Sequence, residues 1–327
     1  MEHGKTATGA VDGRIRGFPI SFFAVALGLM GLTLAWQKAE PILDLPVRAS
    51  LPLLYASTAV FAAIFIAYIA KIARYPDEAK KEFRHPVKLN FFPLLAKILL
   101  IMSIIFLAID MGTSSALWWA GVILQLAFTL IIISAWFQQD IFEVHHMSPA
   151  WFIPIVGCII VPIAGLSHFS PELSWFFFSI GVFWWLMLAT IVVNRIIFHR
   201  PMPEKLLPTM FILFAPPLIG YISLNKLMGG PTPFGNMLYY IGLFLFMLVA
   251  YQYKSFTRIK FYLSWWAYSF PLAALSIATL LMFHESGQAF FGWLSWGIFA
   301  LLNLVVLLLV WKTASGIMRG EICVEEE

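Results

Sequence analysis

Lys97 is the one basic residue set well inside an apolar stretch of this chain, four residues after Pro93. An ionisable side chain at that depth is costly in hydrocarbon and normally faces a bundle interior or water. There it would attract anions. It lies about nine residues into its stretch, roughly 13 Å deep at ~1.5 Å per residue. A long lysine stem can also snorkel back to the interface, so the sequence leaves both placements open. The hydroxyls available to a passing ion are Ser21, Ser103, Thr209, Ser269 and Ser276. Each of them can instead bond a helix carbonyl.

Other chemistries find little support. The chain holds no G-x-x-x-x-G-K-[ST], H-E-x-x-H or C-x-x-C pattern, the arrangements that serve phosphate binding, zinc hydrolysis and thiol exchange. His85, His145, His146 and His199 fall in loops on one side, and His168 and His284 on the other. Adjacent His145 and His146 would point about 100° apart on a helix, which suits no single metal. Neither a metal nor any other cofactor is expected, nor is an enzyme. Cys158 lies in an apolar stretch and Cys323 in the tail, so no disulfide framework is implied. Of the seventeen acidic residues, only Asp110 is read as bordering a proline-bearing stretch. Proton-coupled carriers usually need intramembrane carboxylates. A pathway with one lysine and no carboxylate suits anions better than cations.

The elements that must position these residues follow from proline. Pro19, Pro93, Pro154, Pro216 and Pro271 lie 74, 61, 62 and 55 residues apart, each in a hydrophobic stretch long enough to cross a bilayer. Between them run five more such stretches, near 51–70, 114–137, 172–194, 236–254 and 288–312, with proline-free interiors. Proline removes a helix hydrogen bond and bends the helix, and in lipid the freed backbone must face protein or a water-filled cavity. Five bent–straight pairs thus place bent helices around an inner axis and straight ones outside, the outline of a pore. Composition agrees: 61% of the 327 residues are hydrophobic and 12% charged, against roughly 25% charged in a soluble domain. The fold class read from this is an all-α membrane protein of ten transmembrane helices.

With ten spans both ends share one side. Seventeen Lys and Arg fall on that side against three (Lys38, Arg48 and Lys226) on the other, which predicts cytoplasmic termini. The net charge of +4 then reflects topology, and no nucleic-acid partner is needed. We expect a cytoplasmic segment 1–17, a membrane domain 18–313 and a cytoplasmic acidic tail 314–327 in a plasma (bacterial inner) membrane, with the lipid bilayer and small anions as partners.

Local motifs carry a resemblance. Phe18-Pro19-Ile20-Ser21-Phe22-Phe23, His85-Pro86-Val87-Lys88-Leu89-Asn90-Phe91-Phe92-Pro93 and Ser148-Pro149-Ala150-Trp151-Phe152-Ile153-Pro154 occur in order. Ala215-Pro216-Pro217 and Trp265-Trp266-Ala267-Tyr268-Ser269-Phe270-Pro271-Leu272 follow. Together, from about residue 17 to 313, they resemble the tellurite-resistance/dicarboxylate transporter family. That family includes bacterial TehA-like proteins, fungal malate permeases and plant slow anion channels. The resemblance implies five helical hairpins in quasi-fivefold arrangement, odd helices lining a central pore, and a homotrimer with one pore per protomer. It also implies that Phe270, before the proline of the ninth span, plugs the pore. Ser21, Phe22, Phe23, Phe211, Phe214 and Ser269 are further pore-lining candidates beside Lys97, with packing the competing role for the phenylalanines. Lys97, Ala24 and Ala26 depart from the pattern expected of bacterial relatives, which bears on pore diameter and substrate.

Two readings follow. One is a gated channel for chloride, nitrate or similar small anions. The other is a carrier for C4-dicarboxylates or tellurite, with Asp110 or His168 as the groups for pH coupling. A non-transporting scaffold fits the proline repeat poorly.

Overall fold

The computed structural model describes residues 14–320. Lys5, Cys323 and Glu325 to Glu327, which entered the sequence reading, lie outside the described residues. Ten helices are long and apolar enough to cross a bilayer. They are α1 (Ile20–Ile42), α2 (Ser50–Arg74), α3 (Lys88–Phe106), α4 (Met111–Gln138) and α5 (Pro149–His168). The second half holds α6 (Pro171–Phe198), α7 (Glu204–Met228), α8 (Pro233–Tyr251), α9 (Leu263–Ser286) and α10 (Ala289–Met318). The protein is an all-α membrane protein, and no strand occurs among the described residues.

Odd and even spans divide by burial. Between 72 and 83% of the apolar core of each odd span is buried, against 22–33% of each even one. The odd spans pack in sequence: α1 on α3, α3 on α5, α5 on α7, α7 on α9, and α9 back on α1. Each even span packs on the odd span before it, and α4, α6, α8 and α10 also touch the next odd span round. The seam recurs from hairpin to hairpin. Gly121 of α4 receives Leu100 of α3, Gly181 of α6 receives Ile159 of α5, and Gly242 of α8 receives Leu218 of α7. Small residues let membrane helices approach closely where no hydrophobic force drives them together.

The bend expected of each proline takes the form of a change in helix type. Every odd span opens in a 3₁₀ segment: Ile20–Phe22, Lys88–Phe91, Pro149–Phe152, Glu204–Phe214 and Leu263–Tyr268. Pro19 directly precedes the first of these, and Pro93 caps the α-helical part of α3. Pro154, Pro216 and Pro271 sit within the first three residues of the α-helical parts of α5, α7 and α9. A first-turn proline lacks an N–H that had little use there, so it costs little at such a junction.

The spans also run further than the apolar stretches suggest. α1 extends to Ile42 and α9 to Ser286, so Glu40 and Glu285 lie within odd helices, as does Glu204 at the start of α7, whereas α3 ends at Phe106 and Asp110 is instead the N-cap of α4. The sequence reading missed them because Glu40 follows the polar Gln37-Lys38 and Glu285 follows His284, where the apolar stretches end. Glu40 accepts the backbone N–H and hydroxyl of Ser50 at 2.7 and 2.8 Å, capping α2. Glu285 accepts the Tyr221 hydroxyl at 2.8 Å and the Asn225 amide at 3.2 Å.

A buried ion pair fixes the start of α1. After α2 a short helix, Pro76–Arg84, folds back beneath the bundle. It delivers Glu82, 6% exposed, to Lys71, 3% exposed, at 3.0 Å. Tyr68 donates its hydroxyl to the same carboxylate at 3.0 Å, and the Ile20 N–H donates to its other oxygen at 3.4 Å. Lys71 donates onward to the Phe18 carbonyl at 2.8 Å. Both backbone groups flanking Pro19 are thereby satisfied by side chains.

Removing one partner of such a pair leaves a buried charge, at a cost of about 3–5 kcal/mol, whereas replacing both is often near neutral. Glu82→Ala should therefore lower the thermal midpoint of the detergent-solubilised protein strongly. Lys71→Met with Glu82→Met should recover most of the loss in the same unfolding scan. Equal losses in the single and double variants would show that the pair does not anchor α1.

Candidate ion pathway

A partly open cavity of about 40 Å³ lies inside the ring of odd spans, and every odd span contributes to its wall. α1 supplies Ala24 and Leu27; α3 supplies Phe91, Leu94 and Lys97. The wall closes with Ile153 and Val156 of α5, Ile212 and Ala215 of α7, and Trp266, Ala267, Phe270 and Pro271 of α9. These residues cluster at the level where the spans pass from 3₁₀ to α-helix. A space of this size takes roughly one to three water-sized guests.

Phe270 reaches the cavity because its neighbours are held elsewhere. Trp266 donates its indole N–H to Thr313 of α10 at 2.9 Å. Tyr268 packs its ring on Phe211 at 4.4 Å. Ser269 donates to the Trp266 carbonyl at 2.6 Å and lies against Gly28 of α1. Phe270 itself is half-buried, with its backbone beside Gly31. Its neighbours are pinned in three directions and its ring is left to the axis.

Lys97 is 2% exposed and lines the same cavity. Its backbone N–H bonds the Pro93 carbonyl at 3.1 Å, in the first turn of the α-helical part of α3. Its ammonium makes no hydrogen bond or ion pair among the described residues; the one titratable side chain that interacts with it is Cys158 of α5. Lys97 is the one ionisable residue among those that line the cavity, and it presents only apolar side-chain surface to it.

The remaining candidates are used in packing. Phe22 stacks on Phe18, and Phe23 lies edge-on to Phe61 and Tyr68 of α2. Phe214 packs on Phe246 of α8, and Phe211 on Phe256 and Tyr268. Ser21 stands half-buried in the opening 3₁₀ turn. Of the hydroxyls, Ser103 donates to the Ser114 carbonyl at 2.8 Å and Thr209 to the Leu206 carbonyl at 2.6 Å. Ser276 is buried with its hydroxyl unpaired. Cys158 is fully buried, near the Gln125 amide at 3.8 Å. His145 and His146 do not diverge as on an α-helix: they share a 3₁₀ turn, and their rings lie 3.9 Å apart.

Two lysines that the sequence offered only as topology markers share the inward faces. Eleven residues make about three helical turns, so Lys38 returns to the face of Leu27 on α1, and Lys226 to that of Ala215 on α7. Both are exposed at the end of the ring opposite the 3₁₀ segments, and their charges repel each other. The eleven-residue step from a cavity residue was the signal available in the sequence.

The family model described as SLAC1, voltage-dependent anion channel, matches residues 17–314. An uncharacterized transporter of Methanocaldococcus jannaschii is 27% identical over 337 residues, covering 94% of this chain and 97% of that protein. The S-type anion channel SLAH2 of Arabidopsis thaliana is 29% identical over 279 residues, covering 80% of this chain and 52% of the plant protein. A tellurite resistance protein TehA homolog of Haemophilus influenzae is 23% identical over 305 residues, covering 91% and 92%.

The seam that sets Phe270 is tight enough to test. A methyl at Gly28 would overlap the Ser269 hydroxyl and stand 2.9 Å from the Trp266 ring. Overpacking of this kind costs about 1–3 kcal/mol. Gly28→Ala should lower the thermal midpoint, and Ser269→Ala added to it should restore part of the loss by removing the nearest atom. No loss in the single variant would place the α1–α9 seam elsewhere.

Proposed function

The chain belongs to the SLAC1 voltage-dependent anion channel family, and from that premise we propose that it is a gated channel for small inorganic anions such as chloride or nitrate. Phe270 is its gate. The observation that carries this reading is the apolar cavity walled by all five odd spans, with Phe270 among its lining residues and Lys97 the one ionisable residue bordering it. An apolar ring at a constriction strips water from an ion and offers no ligand in exchange. Rotating it aside removes that barrier.

Charge along the path favours anions. Lys97 borders the cavity and Lys38 and Lys226 stand at one mouth, while Glu285 is engaged by Tyr221 and Asn225. The groups that a proton-coupled carrier would use are occupied locally. Asp110 is exposed and caps α4 through the Thr113 N–H at 2.7 Å, and its hydrogen bonds from Thr113 hold its carboxyl below the usual carboxylate range. His168 shares a 2.8 Å hydrogen bond with Ser114.

The proposal extends to setting. The ten-span domain, 18–313, lies in a plasma membrane with both termini cytoplasmic, on the excess of basic residues where the odd spans begin. It assembles as a homotrimer with one pathway per protomer, as the family resemblance implies. The apolar outer faces of the even spans are available to lipid and neighbouring protomers alike.

Planar-bilayer currents of wild type and Phe270→Ala test the gate, with chloride, nitrate and malate compared under reversed gradients. Each 1.4 kcal/mol removed from a barrier is tenfold in rate, so the variant should pass at least about tenfold more chloride and nitrate. Unchanged currents in a folded, inserted variant would remove Phe270 from that role. Silence in both proteins, with saturable malate uptake into vesicles, would establish a carrier instead.

A further inference from the structure

We propose that the end of α6 and the start of α5 form a binding site for the phosphate of an anionic phospholipid headgroup, with the Arg195 guanidinium as its principal ligand and the Ser148 hydroxyl as its second. The site lies apart from the central cavity and does not depend on the channel reading.

Arg195 stands where the pattern of α6 calls for an apolar residue. Gly181, Trp185, Leu188 and Val192 belong to the stripe that α6 buries, and Arg195 is the last member of it, 4% exposed. Desolvating a guanidinium is costly unless carboxylates or several acceptors hold it. Arg195 makes one bond, from Nη1 to the Arg200 carbonyl at 3.0 Å. Its Nε is buried without an acceptor. Among the described residues Nη2 has no partner and no carboxylate pairs with the side chain. Lys71, by contrast, has Glu82 at 3.0 Å. The acidic residues of the adjoining loops, Asp140, Glu143 and Glu204, are all exposed.

A second orphan lies at the same level. Ser148 occupies the N-cap position of α5 without capping it, and its hydroxyl is fully buried with no partner. The register brings the two residues together. Gly181 of α6 receives Ile159 of α5, and the helices run in opposite directions. Arg195 lies fourteen residues beyond Gly181, about 21 Å at ~1.5 Å per residue. The opening 3₁₀ segment of α5 rises ~2.0 Å per residue, so that distance ends just before Pro149. The end of α6 packs on the same segment. A donor fork and a hydroxyl, both lacking an acceptor, meet there. Phosphate oxygens accept from both, and the planar guanidinium suits them bidentately.

Depth names the source of the phosphate. α6 holds 28 residues, about 42 Å, against a hydrocarbon core of ~30 Å. Arg195 lies roughly 16 Å from the midpoint of the helix, just past the hydrocarbon edge, where headgroup phosphates sit. On the same last turn Ile197 and Phe198 are exposed, a surface that acyl chains cover. Arg200, exposed in the following loop, adds positive charge, which favours an anionic lipid over a zwitterionic one.

The test uses the full chain purified in a neutral maltoside detergent. Its thermal midpoint is followed as dioleoyl phosphatidylglycerol, dioleoyl phosphatidylcholine or sodium phosphate is added at constant ionic strength. A ligand that binds only the folded state raises the midpoint in a saturable way. Wild type should respond to phosphatidylglycerol and to neither of the others. Arg195→Gln should require at least about tenfold more lipid, the scale of one lost charge-assisted hydrogen bond. Arg195→Lys, which keeps the charge and loses the fork, should fall between. Arg258 is exposed in the loop between α8 and α9, and Arg258→Gln should leave the response unchanged. An equal loss in that variant would mean a diffuse basic surface and overturn the site, as would a wild type indifferent to phosphatidylglycerol. An equal rise with inorganic phosphate would overturn the lipid assignment in favour of a soluble phosphate compound. Should Arg195→Gln fail to fold, Ser148→Ala decides. Its unpartnered hydroxyl can go without lowering the lipid-free midpoint, yet the titration should move severalfold to higher lipid. An unmoved titration would remove the site.

Discussion

A backbone group freed from its helix inside a bilayer has no water to turn to, and most of this architecture follows from that constraint. Each odd span carries a proline near its beginning, and each begins as a 3₁₀ segment with poorer hydrogen-bond geometry. Such backbone is tolerated where protein surrounds it. The odd spans are accordingly the buried ones, packed on each other in a closed series, and the regular even spans take the lipid side. At the start of α1, Glu82 and Lys71 supply the missing partners for Ile20 and Phe18. The cavity at the 3₁₀-to-α junctions is a product of the same constraint, because five helices that change pitch at one level do not fill the space between them.

Electrostatics then separates the two ends of that space. All five odd spans begin at the same face, so their aligned peptide dipoles place their positive ends together there. Lys97 borders the cavity at the level of the junctions, and Lys38 and Lys226 stand at the far mouth. An anion crossing by the proposed route meets positive helix ends at one face and two lysines at the other. In that proposal attraction and obstruction reside in different residues, which lets one vary without the other.

The fold was legible because it is written in coarse signals: ten apolar stretches, alternate prolines and a one-sided excess of basic residues. Finer features depend on geometry that composition does not carry. Glu40 follows the polar Gln37-Lys38 and Glu285 follows His284, so they read as loop residues although they belong to helices. Phe22, Phe23, Phe211 and Phe214 occupy spans that wall the cavity, yet the helix phase turns their rings towards Phe18, Phe61, Phe256 and Phe246. That phase is set by 3₁₀ segments of three to eleven residues, whose tighter pitch shifts every later residue and is invisible in an α-helical register. Lys97 was legible as an anomaly and illegible as a placement: snorkelling and lining a cavity ask the same of a sequence and differ only in where the stem finds room.

The surroundings of Phe270 join these strands. Trp266 is bonded to α10, Tyr268 is wedged against α7, and Ser269 is seated on Gly28 of α1. Three commitments fix the backbone at the start of α9, and Pro271 sits in the first α-helical turn, where its missing N–H costs little. What these commitments leave uncommitted is the side chain of Phe270, half-buried beside Gly31. On the gating proposed for Phe270, a rotamer change opens the path and the ring of helices need not rearrange. The close packing of the odd spans, which would resist any opening by helix motion, is therefore compatible with that proposal, because it asks a single side chain to move and not the frame.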